Sequence, residues 1–209
     1  MVDAATFWDK VAPKYAQSKI RDMEAYEYTL ERTRSYLKPT DTALELGSGT
    51  GSTAQLLGPS VKQMVGTDVA PEMIKIAQGK PQESGNIDFR VLPIGEAVAL
   101  REPFDVVMGF NLFHLVENPQ ALFADIYEML PEGGLFISKT PCLADKAFGW
   151  KRFLVMAALP VMQLLGKAPR PVAMFRIAEI DRMILEAGFE IVEAGSFPSI
   201  SRYVVARRR

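Results

Sequence analysis

A doubly wound α/β sheet of seven strands, mostly parallel with an antiparallel end and flanked by helices in three layers, is the fold this sequence predicts. Three features carry that reading. Short apolar runs alternate with amphipathic stretches from Thr42 onward, a glycine-rich turn follows the first run, and two further apolar runs close the chain. With 209 residues, 48% of them hydrophobic, the chain can bury a core without disulfide or metal support. A single domain over residues 1–209 is expected.

A helical leader occupies residues 1–38, where Phe7, Trp8, Val11 and Tyr15 recur at spacings of three and four, as on one helix face. Pro39 stops it. Four strands are then predicted at Thr42–Gly47, Gln63–Asp68, Ile87–Leu92 and Phe104–Asn111. Between them Ser52–Leu57, Pro71–Gln78 and a polar stretch around Glu96 read as helices or short turns. Pro71 suits a first helical turn, where its missing N–H has no partner to lose. Pro119–Leu130 is a further amphipathic helix, closed by Pro131-Glu-Gly-Gly, and Leu135–Thr140 is the fifth strand. An insert follows at about 143–175. The chain ends with a helix at Ile177–Ala187, stopped by Gly188, and two strands, Glu190–Ser196 and Ser201–Ala206. Pro198-Ser199 predicts a tight connection between them and so an antiparallel pair.

Charge and composition exclude several functions. Lys and Arg number 24 against 25 Asp and Glu, a net charge of −1, whereas a dedicated nucleic-acid binder carries a cationic excess. No nucleic-acid partner is expected. One cysteine, Cys142, and one histidine, His114, rule out an internal disulfide and a His/Cys zinc cluster, and no metal is expected. Cys142 reads as a small buried apolar residue. Without a basic stretch and apolar run near the start, a cytoplasmic location is the expectation.

The most informative stretch is Glu45-Leu-Gly47-Ser48-Gly49-Thr-Gly51. A strand entering three alternate glycines gives a sharp turn that a ligand can approach without a Cβ in the way. Twenty-one positions after Gly47, Asp68 ends the second strand, where a carboxylate accepts from both ribose hydroxyls. Together they predict a nucleoside ligand. The spacing G-x-G-x-G, with Ser52 after Gly51, departs from the dinucleotide fingerprint G-x-G-x-x-G. Glu45 adds a second carboxylate; facing a pyrophosphate at about 5 Å it costs roughly 3 kcal/mol at an effective dielectric of 20. A ligand with an ammonium, a ribose and no phosphate matches these charges better. A structural turn, with Glu45 bracing the loop, is the duller alternative.

These residues, with Gly66-Thr-Asp68, Phe104-Asp-Val-Val107, Asn111-Leu-Phe-His-Leu115 and Leu130-Pro-Glu-Gly-Gly-Leu135, resemble the ordered motifs of class I S-adenosylmethionine-dependent methyltransferases. The likeness is to the small-molecule group that includes the ubiquinone/menaquinone-biosynthesis type. It runs from about Phe7 to the C-terminus apart from the insert. The resemblance implies S-adenosylmethionine as cofactor, held by Gly47, Ser48, Gly49 and Gly51, with Glu45 near its amino group and Asp68 on its ribose. It places Val69, Ala70 and Met73 against the adenine, Phe110 and Asn111 along the methionine portion, and Tyr15 closing over the cofactor. Where the family has Gly-Asp-Ala after the third strand, this chain has Leu92-Pro93-Ile94; the Ile94 amide or Glu96 is left to meet the ring.

His114 follows the fourth strand and is the side chain whose unperturbed titration lies near neutrality, so it reads as a general base or as a structural histidine. Tyr15 is the second candidate base. The insert holds Phe153-Leu-Val-Met-Ala-Ala-Leu-Pro-Val-Met162, flanked by Lys146, Lys151, Arg152, Lys167 and Arg170, too short to span a bilayer and broken by Pro160. It reads as a hydrophobic cap or dimer contact, or as an interfacial element over residues 150–166 with basic anchors. Trp150, Phe153 and Met156 are its expected acceptor contacts. The predicted activity is methylation of oxygen, nitrogen or activated carbon on an apolar or amphiphilic metabolite. A dinucleotide oxidoreductase and a non-catalytic nucleoside-binding module remain as rivals, and both monomer and homodimer stay open.

Overall fold

The structure is a computed structural model that describes residues 3–198 and 200–209. Among these residues one sheet contains β1 (Thr42–Leu46), β2 (Gln63–Asp68), β3 (Ile87–Val91), β4 (Val106–Phe110), β5 (Leu135–Pro141), β6 (Glu190–Ser196) and β7 (Ser201–Arg207). Their order is β3-β2-β1-β4-β5-β7-β6. The first five pair in parallel, and β7 runs antiparallel between β5 and β6. The chain reverses its strand order between β1 and β4, the position where such sheets bind ligands. Ser199, half of the connection predicted between the last two strands, lies outside the described residues.

Side-chain alternation along the strands builds the three layers. Leu44, Leu46, Val107, Phe136, Val204 and Ala206 face α6 (Pro119–Met129) and α8 (Ile177–Glu186), where Phe123, Ile126, Ile180 and Ile184 complete one core. Ala43, Met64, Met108, Ile137 and Val205 point the other way, toward α2 (Met23–Arg34), α3 (Ser52–Leu57) and α4 (Pro71–Gln78). Both faces are covered, which is why these strands carry nearly continuous apolar runs.

The leader is two helices: α1 (Ala4–Gln17) and α2. The break comes where Ser18 turns extended, and Asp22 restarts the chain by accepting from the Ala25 N–H at 3.0 Å. Trp8, Val11 and Ala12 of α1 pack on Ala70 and Met73. Asp9 accepts from the Glu72 N–H at 2.9 Å, capping the start of α4, which has no cap of its own. On α2, the buried Lys139 of β5 donates to the Ala25 carbonyl at 3.1 Å and to Thr29 Oγ1 at 2.8 Å. These contacts fix the leader over the carboxyl ends of the strands. The polar stretch after β3 forms the short helix α5 (Ile94–Ala97), and the insert carries α7 (Lys151–Leu164).

Candidate functional site

The carboxyl ends of β1, β2 and β4 open onto a cavity of about 1170 Å³. Single small-molecule sites measure roughly 300–1,000 Å³, so this one has room for a second molecule beside the first.

Its narrow wall is the turn after β1. The Ser48 N–H donates to the Thr67 carbonyl at 2.8 Å and the Gly49 N–H to Asp68 Oδ2 at 3.0 Å. On the far side Lys80 Nζ donates to the Thr50 carbonyl at 2.7 Å and to Ser52 Oγ at 2.9 Å. Sequence reasoning missed Lys80, because nothing in a lysine thirty positions away announces that the fold returns it to the loop. The glycines divide the work. At Gly49 (φ +54°) an added Cβ meets nothing nearer than Tyr15 Cε1 at 4.0 Å, so the backbone stands open to the cavity. At Gly51 (φ +74°) a Cβ falls 2.6 Å from Phe89 Cζ and 2.9 Å from the Ala77 Cβ, so this glycine lets α3 close onto β3 and α4. Gly47 and Gly49 line the cavity, whereas Gly51, Ser48 and Glu45 lie behind it.

Asp68 Oδ1 accepts from the Ala70 N–H at 2.9 Å while Oδ2 holds Gly49, which leaves each oxygen a further lone pair for a ligand. Burial pushes its pKa up, and the backbone donors at Ala70 and Gly49 pull against that rise. Glu45 is 3% exposed, and its Oε2 has no hydrogen-bond partner. Burial first, then the Asp68 charge, push the Glu45 carboxyl up to about 8. A buried carboxyl in that position needs either a proton or an incoming donor. Tyr15 lies over the same spot: its pKa is raised by burial and by Asp68 and Glu45, although 50% of its surface stays accessible. Trp8 meets Tyr15 edge to face at 6.2 Å and lines the cavity with it.

Val69, Met73, Leu92, Pro93, Ile94 and Gly95 form an apolar side wall. Ala70 is buried beneath it in the α1 contact, and Glu96 lies outside the lining. From β4 come Phe110 and Asn111. Asn111, at φ +56°, is the one non-glycine residue with positive φ among the described residues; its N–H donates to the Lys139 carbonyl at 2.8 Å. Such backbone is tolerated where surrounding contacts hold it, and it concentrates at ligand sites.

The wide end is formed by Leu115, Val116, Glu117, Asn118 and Asp125 together with Pro160, Gln163 and Arg170 of the insert. His114 is absent from the lining although Leu115 and Val116 belong to it. Its carbonyl accepts from the Ala173 N–H at 2.6 Å, its Nδ1 is buried without a partner, and burial lowers its pKa to about 4. Trp150, Phe153 and Met156, expected as acceptor contacts, are instead 69%, 59% and 50% exposed and outside the cavity. The reason is helical phase: the inward stripe of α7 is Arg152, Val155, Leu159 and Gln163, and Trp150, Phe153 and Met156 fall off it. Sequence periodicity does not mark Pro160 and Gln163, because α7 is apolar nearly all round.

Comparison with known proteins agrees with this geometry. Residues 17–194 match the family described as a methyltransferase domain. The chain is 29% identical over 152 residues to the ubiquinone biosynthesis O-methyltransferase of Cereibacter sphaeroides, a match covering 72% of this chain and 60% of that protein. The chain thus spans less than two thirds of that relative's length. The enzyme of the same name from Burkholderia pseudomallei is 26% identical over 194 residues, covering 91% of this chain and 80% of its own. In structure, magnesium protoporphyrin IX methyltransferase from Synechocystis with bound S-adenosylmethionine superposes with a TM-score of 0.71 at 16% identity, covering 100% and 99% of the two chains. That likeness is one of fold. With its sheet order, glycine turn and matched span together, the chain belongs to the methyltransferase-domain family.

Proposed function

We propose that this chain transfers the methyl group of S-adenosylmethionine to a small, apolar or amphiphilic metabolite. The observation that carries the reading is the pairing of Gly49 with Asp68: an open backbone bonded to a carboxylate with spare lone pairs, above a buried carboxyl whose Oε2 lacks a donor. The residues fit the cofactor. Asp68 faces its ribose hydroxyls, Gly47 and Gly49 its amino-acid end, and Glu45, behind the turn that Ser48 and Gly51 shape, ionises when an ammonium arrives to pair with it. Val69, Met73 and Ile94 offer the adenine an apolar wall, Phe110 and Asn111 flank the methionine portion, and Tyr15 roofs it. When bound, S-adenosylmethionine supplies a methyl group already activated by a sulfonium. The chain's task is then alignment and exclusion of water, worth about 7–11 kcal/mol when the reactants are held in line. A dinucleotide fits worse, since two carboxyls would stand beside its pyrophosphate.

An acceptor hydroxyl must lose its proton. Tyr15 stays protonated at neutral pH and orients by donating a hydrogen bond. His114, whose pKa is lowered to about 4, is a weak base at pH 7. Glu117 and Asp125, carboxylates at the wide end, are better placed to receive the proton. The names of the two enzymes from Cereibacter and Burkholderia favour an oxygen acceptor. Among the described residues no helix is long and apolar enough to cross a membrane. A cytoplasmic location with peripheral membrane contact through residues 150–166, as monomer or homodimer, completes the reading.

Calorimetry with S-adenosylhomocysteine tests the proposal: one site with micromolar affinity is expected, and NAD gives no heat. Heat with NAD and none with S-adenosylhomocysteine would overturn it. His114→Ala is expected to leave the pH profile of turnover unchanged between pH 6 and 8; loss of the acidic limb, where a base is protonated, would restore histidine as the base.

A further inference from the structure

The α7 helix inverts the usual layout of a surface helix. None of its fourteen residues is buried. Arg152, Val155, Leu159 and Gln163 are its half-buried stripe, with Pro160 beside them at the cavity, while Leu154, Val161 and Leu164 are 56%, 56% and 80% exposed, and Leu165 beyond the helix is 62% exposed. An ordinary surface helix presents its polar side to water. Charge is sorted too. The 33 residues from Lys146 to Ala178 hold six cations and no acid, although the chain as a whole is −1; the remainder, with 18 bases and 25 acids, is −7. Lys146 and Lys151 stand at one end of the helix, Lys167 and Arg170 at the other. Among the described residues none of these four forms an ion pair.

We infer that α7 lies flat on an anionic lipid bilayer, its apolar face sunk among the acyl chains and the lysines at its two ends set against acidic headgroups. At about 1.5 Å per residue the helix is roughly 21 Å long, short of the roughly 30 Å hydrocarbon thickness, so it rests in the interface. Charge complementarity selects this occupant. A twofold contact between two copies places the same patch on both sides and so sets cations against cations. The inner edge of the helix, Pro160 and Gln163, lines the cavity, so the surface that meets lipid also walls the acceptor end. An amphiphile dissolved in the bilayer thereby reaches the cavity without crossing water. This last step rests on the methyltransfer reading; the docking itself does not.

Flotation of the full chain with vesicles of phosphatidylcholine, with and without phosphatidylglycerol, tests the inference. At least tenfold more bound protein is expected on the anionic vesicles, falling as salt is raised. Leu154→Glu/Leu164→Glu and, separately, Lys146→Gln/Lys151→Gln/Lys167→Gln are each expected to lower that binding at least tenfold while leaving S-adenosylhomocysteine affinity unchanged. Equal recovery with both vesicle types would overturn the inference. So would a lipid-free dimer that Leu154→Glu/Leu164→Glu dissociates, since a second copy would then cover the face. Should S-adenosylhomocysteine fail to bind while flotation follows the expected pattern, the docking stands and the methyltransfer reading falls.

Discussion

At the β1–β2 end of the cavity the backbone does the holding: a turn bonded to Thr67, Asp68 and Lys80 is anchored on a buried sheet. At the opposite end α7 contributes no buried side chain and touches the domain along one stripe. In the first region the backbone groups of the turn find partners within the chain, and only Glu45 Oε2 and Ser48 Oγ are buried without one. The second leaves its apolar surface unmatched.

Substitutions sharpen that contrast, beginning with the largest effect. Phe113 is fully buried between Phe123 and Phe136, with ring centroids at 5.0 and 5.4 Å. Phe113→Ala is expected to cost about 3–5 kcal/mol in urea unfolding. Asp68→Ala removes the acceptor of the Gly49 and Ala70 amides as well as the proposed ribose contact; a loss of roughly 100-fold in S-adenosylhomocysteine affinity, about 2.7 kcal/mol, is expected by calorimetry. The two glycines should separate. Gly51→Ala forces a Cβ into Phe89 at positive φ and should destabilise by about 2–3 kcal/mol. Gly49→Ala should cost about 1–2 kcal/mol for its φ alone and lower affinity more than tenfold, because its Cβ enters the cavity.

Glu45 gives a pH test. Its native pKa of about 8 lies above the ordinary value of 4.5. Its contribution to stability is therefore complete below pH 4.5 and is lost as pH rises toward 8, while the unfolded chain ionises first. Glu45→Gln should raise the melting temperature at pH 8 relative to pH 5, and weaken S-adenosylhomocysteine binding by about tenfold. A parallel shift at both pH values would show that the carboxyl is satisfied in the folded state. The smallest effect belongs to α7: Leu154→Glu should change stability by less than about 0.5 kcal/mol. A loss of several kcal/mol there would erase the distinction between the two ends.

Much of this was readable from the residues. The strands follow their apolar runs because a sheet covered on both faces needs apolar residues at every position. The site's narrow end was legible because Gly47, Gly49 and Asp68 are needed for local reasons, namely a turn without a Cβ and a strand-end carboxylate. Lys80 was not, since its role depends on where α4 ends in space. Nor were Glu117 and Asp125, whose spacing resembles that of any solvated loop and helix. His114 looked chemical from its residue type, but burial set its pKa and the Ala173 contact set its place.

Sequence alone therefore determined the sheet, its reversed end strand and the glycine turn with its two carboxyls, because each depends on side-chain period or on backbone freedom within a few residues. Only the tertiary structure decided which glycine opens onto the cavity and which packs on Phe89, which stripe of α7 turns inward, and that Glu45 is cut off from water. Those are properties of neighbours brought together from distant parts of the chain, and desolvation and contact exist only once they have met.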